Sequence, residues 1–234
     1  MKTIFKHIRR LMFSCGSLVA LLLYCPMLEA QEQPMKVGFI RLINAVAPGE
    51  GMVTLLIDGE NMNPKGYRLG ALTGGIGLKP GMHTVTMKRD GVEDATTRLE
   101  LAIGATITVV PYAERIPAAD DKPAHWAMRI LRLKQMKPES ERGATFVSVA
   151  PDPEIKVELG LEDNKWSAAF VKRLGIVQLP IDESGGYVKV RIKGKELDSM
   201  AVPMPGNYVV VIYADADGAL KCLNFRDVKY LTAD

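Results

Sequence analysis

The chain has 234 residues, with 30 Lys and Arg residues against 27 Asp and Glu residues. Residues 1–30 contain four of the basic residues and one of the acidic residues, so the remaining chain carries 26 of each. A chain without net charge lacks the positive electrostatic footprint of proteins that bind nucleic acid, and we therefore predict no nucleic-acid partner.

Residues 1–30 have the layout of a secretory signal peptide. Basic residues precede a mostly apolar run from Leu11 to Tyr24, and the motif CPMLEA ends on the small residue Ala30. This apolar run is shorter than the ~20 residues that usually cross a membrane. We predict cleavage after Ala30, export to the periplasm, the cell surface or the medium, and no stable membrane span after processing. A retained N-terminal anchor is the alternative.

Several motifs of the first half recur about one hundred residues later. INAVAPGEGMVTLLIDG is echoed by VSVAPDPEIKVELG, YRLG by KRLG, and AIGATITVVPYAE by PMPGNYVVVIYAD. The spacing is 103 residues between Val46 and Val149, and 105 residues between Arg68 and Arg173. Repetition at this period indicates a duplicated domain rather than a solenoid of short repeats.

The duplication predicts a first domain over residues 31–135 and a second over residues 144–234. Between them, QMKPESERG is polar and contains a proline, which is typical of a linker, and we place that linker at residues 136–143. Just before it, HWAMRILRLK fits either a strand or a short amphipathic helix. We favour the strand, as the last one of the first copy.

Apolar residues recur with a period of two in both copies. HTVTMK and YVKVRIK alternate apolar and polar residues, which is typical of half-buried antiparallel strands. TITVV and YVVVIY are continuous apolar runs, which indicates central strands covered more fully. No long stretch shows the 3.6-residue period of a helix. Short strands separated by turn residues predict an all-β protein made of two tandem β-sandwiches.

The motif order also resembles a known family. FIRLINAVAP, a strand that ends in IDG, LKPGMHTVTM and LELAIGATITVVPY follow one another in the first copy. This order is similar to the tandem extracellular β-sandwich modules of bacteria that are catalogued as a domain of unknown function. The first copy matches their pattern at Asn44, Ala45, Pro48, Asp58, Gly59, Pro80 and Gly81.

The second copy departs from this pattern at three places. Ser148 replaces the Asn, Gly160 has no Asp before it, and Ser-Gly-Gly replaces Pro-Gly. The resemblance covers most of residues 38–215. It implies immunoglobulin-like or transthyretin-like antiparallel sandwiches, a cell-envelope or secreted location, and no known catalysis.

The sequence offers no convincing catalytic or metal site. His83 and His125 are the only histidines after residue 30, and they form no cluster with cysteine, so we predict neither a transition-metal site nor a cofactor. Cys222 is the only cysteine left after residue 30, and its alternating apolar neighbours predict a small buried or half-buried core residue; a reactive thiol is the alternative. Ser184 lacks the context of a nucleophile, and we predict no catalytic residue.

Carboxylates offer one further candidate. Asp215 and Asp217 in YADADGAL resemble part of a calcium loop, but a tight Asp-Gly hairpin is the simpler interpretation.

Two loops are candidate binding surfaces. The first contains Glu162, Asp163, Asn164 and Trp166, because an aromatic ring beside carboxylates and amides suits a sugar; the alternative is that Trp166 closes the end of the sandwich. The second is the loop 46–51. We predict an exported, non-enzymatic binding or scaffolding protein of the bacterial cell envelope, whose partner is an envelope protein or a cell-surface glycan. The alternatives are a glycan-binding accessory module of an extracellular enzyme system and a small hydrolase that uses surface carboxylates.

Overall fold

A computed structural model describes residues 36–119, 122–135, 142–160, 165–181, 186–228 and 230. These residues form sixteen strands and no helix, which confirms the all-β fold class. The predicted signal peptide, residues 1–30, lies outside the described residues.

The first half of the described chain is a sandwich of two four-stranded layers. Its strands are β1 (Gly38–Leu42), β2 (Glu50–Ile57), β3 (Glu60–Asn61), β4 (Ile76–Leu78), β5 (Gly81–Asp90), β6 (Val92–Leu101), β7 (Thr106–Ile116) and β8 (His125–Lys134). The order is β3-β2-β5-β6 in one layer and β8-β7-β1-β4 in the other, and a single bridge between Glu93 and Ala127 joins them along one side. Apolar side chains such as Leu55, Val85 and Val109 fill the space between the layers.

The second half repeats this strand order. Its strands are β9 (Arg142–Ser148), β10 (Glu154–Gly160), β11 (Trp166–Lys172), β12 (Ile176–Pro180), β13 (Tyr187–Ile192), β14 (Lys195–Ala201), β15 (Gly206–Ala214) and β16 (Leu220–Arg226). One sheet has the order β11-β10-β13-β14 and the other has β12-β9-β15-β16. A second apolar core, which includes Phe146, Val157 and Val210, lies between these sheets.

The two halves also share a strand register. Arg41 of β1 lies opposite Thr108 of β7, and Thr145 of β9 lies opposite Val209 of β15. Both of these pairs are parallel, whereas we expected antiparallel sandwiches throughout. A tight hairpin would force antiparallel pairing, but here each pair is joined by a connection that runs through the opposite sheet, so the two strands are free to run in the same direction.

The two sandwiches pack against each other, face to face. The β8-β7-β1-β4 layer meets the β12-β9-β15-β16 sheet through a third group of buried side chains, the shared apolar layer. Its members are Ile43, Ala45, Val110, Tyr112, Val147, Val149, Val209, Val211, Tyr213 and Phe225. Counted from the register pairs, Val110 corresponds to Val211 and Tyr112 to Tyr213, so equivalent positions of the two halves meet.

This packing explains the continuous apolar runs. In β15, Val210 and Ile212 face the core of the second half, while Val209 and Val211 face the first half. Strand β7 is likewise buried on both faces, with Val109 on one side and Val110 on the other. The expectation of fully covered central strands in TITVV and YVVVIY is therefore confirmed.

The segment before the predicted linker is also a strand, as we favoured. HWAMRILRLK forms β8, which pairs along its whole length with β7. Most of the predicted linker, residues 136–143, lies outside the described residues; its last two residues, Arg142 and Gly143, already belong to β9.

A buried ion pair links the two halves at one end of the shared apolar layer. Nη2 of Arg41 lies 2.9 Å from Oδ1 of Asp227, and the exposed fractions of the two side chains are only 2% and 5%. The guanidinium also lies over the rings of Phe225 and Tyr230, at 4.7 and 5.6 Å from their centroids. Arg41 comes from β1 and its three partners come from the C-terminal segment.

Candidate functional site

A cleft of about 280 Å³ lies between the two halves, at the opposite end of the shared apolar layer from Arg41. We call it the central cleft. Its walls come from motifs that recur in the sequence: Ala47 and Pro48 from the first Val-Ala-Pro, and Pro151 from the second. Tyr112 and Tyr213 line it as well.

Two tyrosines that line the cleft are buried residues. Tyr112 is 7% exposed and Tyr213 is 8% exposed, and neither hydroxyl forms a hydrogen bond within the described part of the chain. Burial raises the pKa of both phenols, and the negative charge of Glu114 raises the pKa of Tyr112 further. Both hydroxyls therefore stay protonated at neutral pH and are available as hydrogen-bond donors.

Each tyrosine reaches toward the opposite half. The Tyr213 hydroxyl lies beside Gly70, about 4.0 Å from where a Cβ on that glycine would lie. Tyr112 lies within electrostatic range of Arg173. Gly70 and Arg173 belong to the recurring motifs YRLG and KRLG. Residues of the recurring motifs thus contribute to the contact between the two halves, together with Arg41, Phe225 and Asp227 from outside those motifs.

One side of the cleft mouth holds a cluster of charges. Oε1 of Glu114 accepts a hydrogen bond from Nη2 of Arg173 at 2.7 Å, and Oε2 accepts one from Nε of Arg129 at 3.3 Å. The Arg173 hydrogen bond is the largest cause of the lowered pKa of Glu114, against which partial burial acts. Nearby, the guanidinium of Arg115 lies over the ring of Trp126, 5.3 Å from its centroid.

The Asp215 turn forms another part of the wall. Oδ1 of Asp215 accepts backbone hydrogen bonds from Asp217 and Ala219, at 3.1 and 2.9 Å, and Gly218 has a φ of +81°. This is the tight hairpin between β15 and β16 that we preferred to a calcium loop. Among the residues that the structure describes, no group of three or more His, Cys, Asp or Glu side chains is placed to hold a metal ion.

The predicted sugar-binding loop is seen only at its end. Glu162, Asp163 and Asn164 lie outside the described residues. Trp166 begins β11 on the outer face of its sheet, half-buried, opposite Gly160. The guanidinium carbon of Arg191 lies 3.6 Å from the centroid of its ring. Trp166 is thus neither in the core nor in the central cleft, and one of its surfaces is already covered by a cation.

Cys222 and His125 both have partners in the structure. Cys222 is half-buried and packs against the core of the second half, as expected, and burial together with Asp198 raises its pKa to about 12. A thiol with this pKa is not a nucleophile at neutral pH. Nε2 of His125 lies 3.4 Å from Glu93, and Ser184 lies outside the described residues.

His83 is held between two acceptors. Its Nδ1 lies 2.6 Å from Oδ2 of Asp58, and its Nε2 lies 2.7 Å from the carbonyl oxygen of Lys79. A carbonyl and a carboxylate can only accept, so both contacts are hydrogen bonds when both ring nitrogens carry protons. Burial alone would lower the pKa of His83, but the Lys79 carbonyl and Asp58 outweigh it and raise that pKa above 6.5. The backbone hydrogen bond from Thr84, followed by His83, lowers the pKa of Asp58 below 3.8.

This pair predicts a pH dependence of stability. The raised pKa of His83 stabilises the fold fully below pH 6.5, and this contribution is lost as the pH rises through the raised value. The lowered pKa of Asp58 contributes above pH 3.8 and is lost on acidification through the lowered value. NMR titration should place the pKa of His83 above 6.5, and Asp58→Asn should lower it. A midpoint below 6.5 in the unmodified protein would contradict this assignment.

Comparison of the chain with protein-family models gives no match, and comparison with curated protein sequences gives none. Within the described residues, the structure has no helix that is long and apolar enough to cross a membrane.

Only part of this site could be identified from the sequence. The loop 46–51 was a candidate, and its Ala47 and Pro48 do line the cleft. Tyr112, Tyr213 and Trp126 were not named. A signal for the tyrosines was present, because both stand at the same place in the recurring motifs PYAE and IYAD.

Proposed function

We propose that the chain is an exported, non-enzymatic binding or scaffolding protein of the bacterial cell envelope, built as a tandem repeat of immunoglobulin-like β-sandwich modules. The signal-peptide pattern of residues 1–30 supports export to the periplasm or the cell surface. The resemblance to extracellular modules of unknown function supports the same location. The partner we propose is an envelope protein that binds in the central cleft.

The observation that carries the proposal is the composition of this cleft. Concave, largely apolar pockets with a few convergent polar groups are the usual binding sites of proteins. The Glu114 carboxylate, whose pKa is lowered, stays ionised at neutral pH, and the Tyr112 and Tyr213 phenols, whose pKa values are raised, stay protonated. Groups fixed in one protonation state suit recognition better than proton transfer, which needs a pKa near the working pH.

In-cell cross-linking of the tagged protein, followed by cell fractionation and mass spectrometry, tests the proposal. Ala216 is exposed and lines the cleft, so Ala216→Trp should obstruct it without disturbing a core. Ala219 is exposed on the same hairpin outside the cleft, so Ala219→Trp is the matched control. We expect one envelope protein to be captured by the unmodified protein and the control, and to be lost with Ala216→Trp.

Equal capture by both tryptophan variants would exclude the cleft as the binding site. Loss of the partner with Trp166→Ala would instead place recognition at the predicted loop that contains Glu162, Asp163 and Asn164. If no protein is captured at all, the scaffolding proposal fails. A glycan array with Trp166→Ala as control then tests the glycan-binding alternative, whose aromatic platform would have to displace Arg191 from the indole ring.

A further inference from the structure

We propose that the central cleft recognises a carboxylate joined to a flat apolar group, either as a free small acid or as the carboxy-terminal aromatic residue of a polypeptide. This inference rests on the proposed function, because it names the chemistry that the same cleft would bind. Three observations support it: the positive charges around the cleft, the tyrosine hydroxyls without a hydrogen-bond partner among the described residues, and the aromatic side chains that line the cleft.

The charges around the cleft favour an anion. Glu114 is shared by Arg129 and Arg173, so one negative charge faces two positive ones. Arg115 adds a third guanidinium, and it has no carboxylate partner among the described residues. Asp215 adds a negative charge to the wall of the cleft, but the Lys221 ammonium lies 3.8 Å from its Oδ2 and offsets that charge.

The hydroxyl of Tyr112 points to the same chemistry. The side chain is more than nine-tenths buried, lines the cleft and has no hydrogen-bond partner among the described residues. The hydroxyl is not among the fully buried atoms, so it is accessible from the cleft. A carboxylate oxygen beside this hydroxyl would accept its proton in a charge-assisted hydrogen bond and would lie near the arginine cluster.

The walls suit a flat group of limited size. The rings of Tyr112, Tyr213 and Trp126 line the cleft, and the residues between them are mostly Ala, Pro and Gly. Aromatic faces pack well against other flat apolar groups. A volume of about 280 Å³ lies just below the usual range for ligand pockets, so one aromatic ring with a short acidic arm fits better than an extended chain.

Tryptophan fluorescence gives a direct test, because Trp126 and Trp166 are the only tryptophans of the chain. In a Trp166→Phe background, Trp126 reports on the cleft alone. The probes are phenylacetate, the uncharged isostere phenylacetamide, and the peptide Gly-Gly-Phe with a free or an amidated carboxy terminus. We expect saturable changes with the two acids, and binding at least about tenfold weaker for the two amides, as loss of a charge-assisted contact implies.

Two variants locate the contact. Tyr112→Phe and Arg115→Ala should each weaken binding of the preferred acid roughly tenfold. Arg98→Ala removes an exposed arginine that does not line the cleft, so it should leave the affinity for the acid unchanged. Preference for phenylacetate over the peptide acid identifies a free small acid as the ligand type, and the reverse identifies a polypeptide terminus.

Equal binding of acids and amides, or an absence of any saturable change, would overturn the inference. This failure is distinguishable from failure of the proposed function. If Ala216→Trp still abolishes capture of the envelope partner while no acid binds, the cleft is a binding site for a different chemistry. If Ala216→Trp does not reduce capture of the envelope partner and no acid binds, both the proposed function and this inference are wrong.

Discussion

Asp227→Ala is expected to lower the free energy of unfolding by about 3–5 kcal/mol, because it leaves the buried guanidinium of Arg41 without its carboxylate. Arg41 is 2% exposed, so its guanidinium has little contact with water that could replace the lost carboxylate. Its stacking on Phe225 and Tyr230 does not replace the lost negative charge. Urea denaturation followed by circular dichroism would measure the change.

A double variant separates the charge effect from the loss of packing. Arg41→Met together with Asp227→Leu removes both charges and keeps apolar volume, and replacements of this kind are often neutral or stabilising. We therefore expect the double variant to be more stable than Asp227→Ala alone. A loss of less than about 1 kcal/mol in Asp227→Ala would show that this ion pair does not hold the halves together.

Val211→Asp is expected to destabilise the protein by more than about 4 kcal/mol, and thereby to abolish the packing of the two halves. Val211 is fully buried in the shared apolar layer, opposite the sheet of the first half. A carboxylate at this place would lose its hydration without gaining a partner, which costs several kcal/mol, and the burial of the valine is lost as well. Thermal unfolding and size-exclusion chromatography would report both effects.

The control for this substitution is Ala201→Asp, which adds the same charge to an exposed position of β14 in the same half. We expect the control to change the free energy of unfolding by no more than about 0.5 kcal/mol. Val110→Asp, at the corresponding place in the first half, should reproduce the effect of Val211→Asp. If both interface variants behave like Ala201→Asp, the contact between the halves contributes little to stability.

Much of the fold is predictable from local patterns. The period-two alternation of HTVTMK and YVKVRIK identifies β5 and β13, and the apolar runs TITVV and YVVVIY identify two strands covered on both faces. Strand β8 was predicted as well, although its pattern also fitted a helix. Local patterns succeed here because side chains alternate between the two faces of a strand, so the order of apolar and polar residues shows which face is buried.

The candidate site was less predictable. Trp166 was named for its type and its polar neighbours, yet Arg191, a cation from β13 two strands away in the sheet, covers its ring. Tyr112 and Tyr213 were not named, because in sequence they look like ordinary members of apolar strands. Their burial beside a cleft depends on a contact between segments about one hundred residues apart.

The sequence by itself determined the all-β class, the strands, the recurring motifs and the demand that β7 and β15 be covered on both faces. Only the tertiary structure decided which surface covers each of these strands, namely the equivalent strand of the other half. The same packing creates the central cleft and the ion pair of Arg41 with Asp227. The physical reason is that hydrophobic burial is non-directional: a residue order can show that a surface must leave water without showing which surface it will meet.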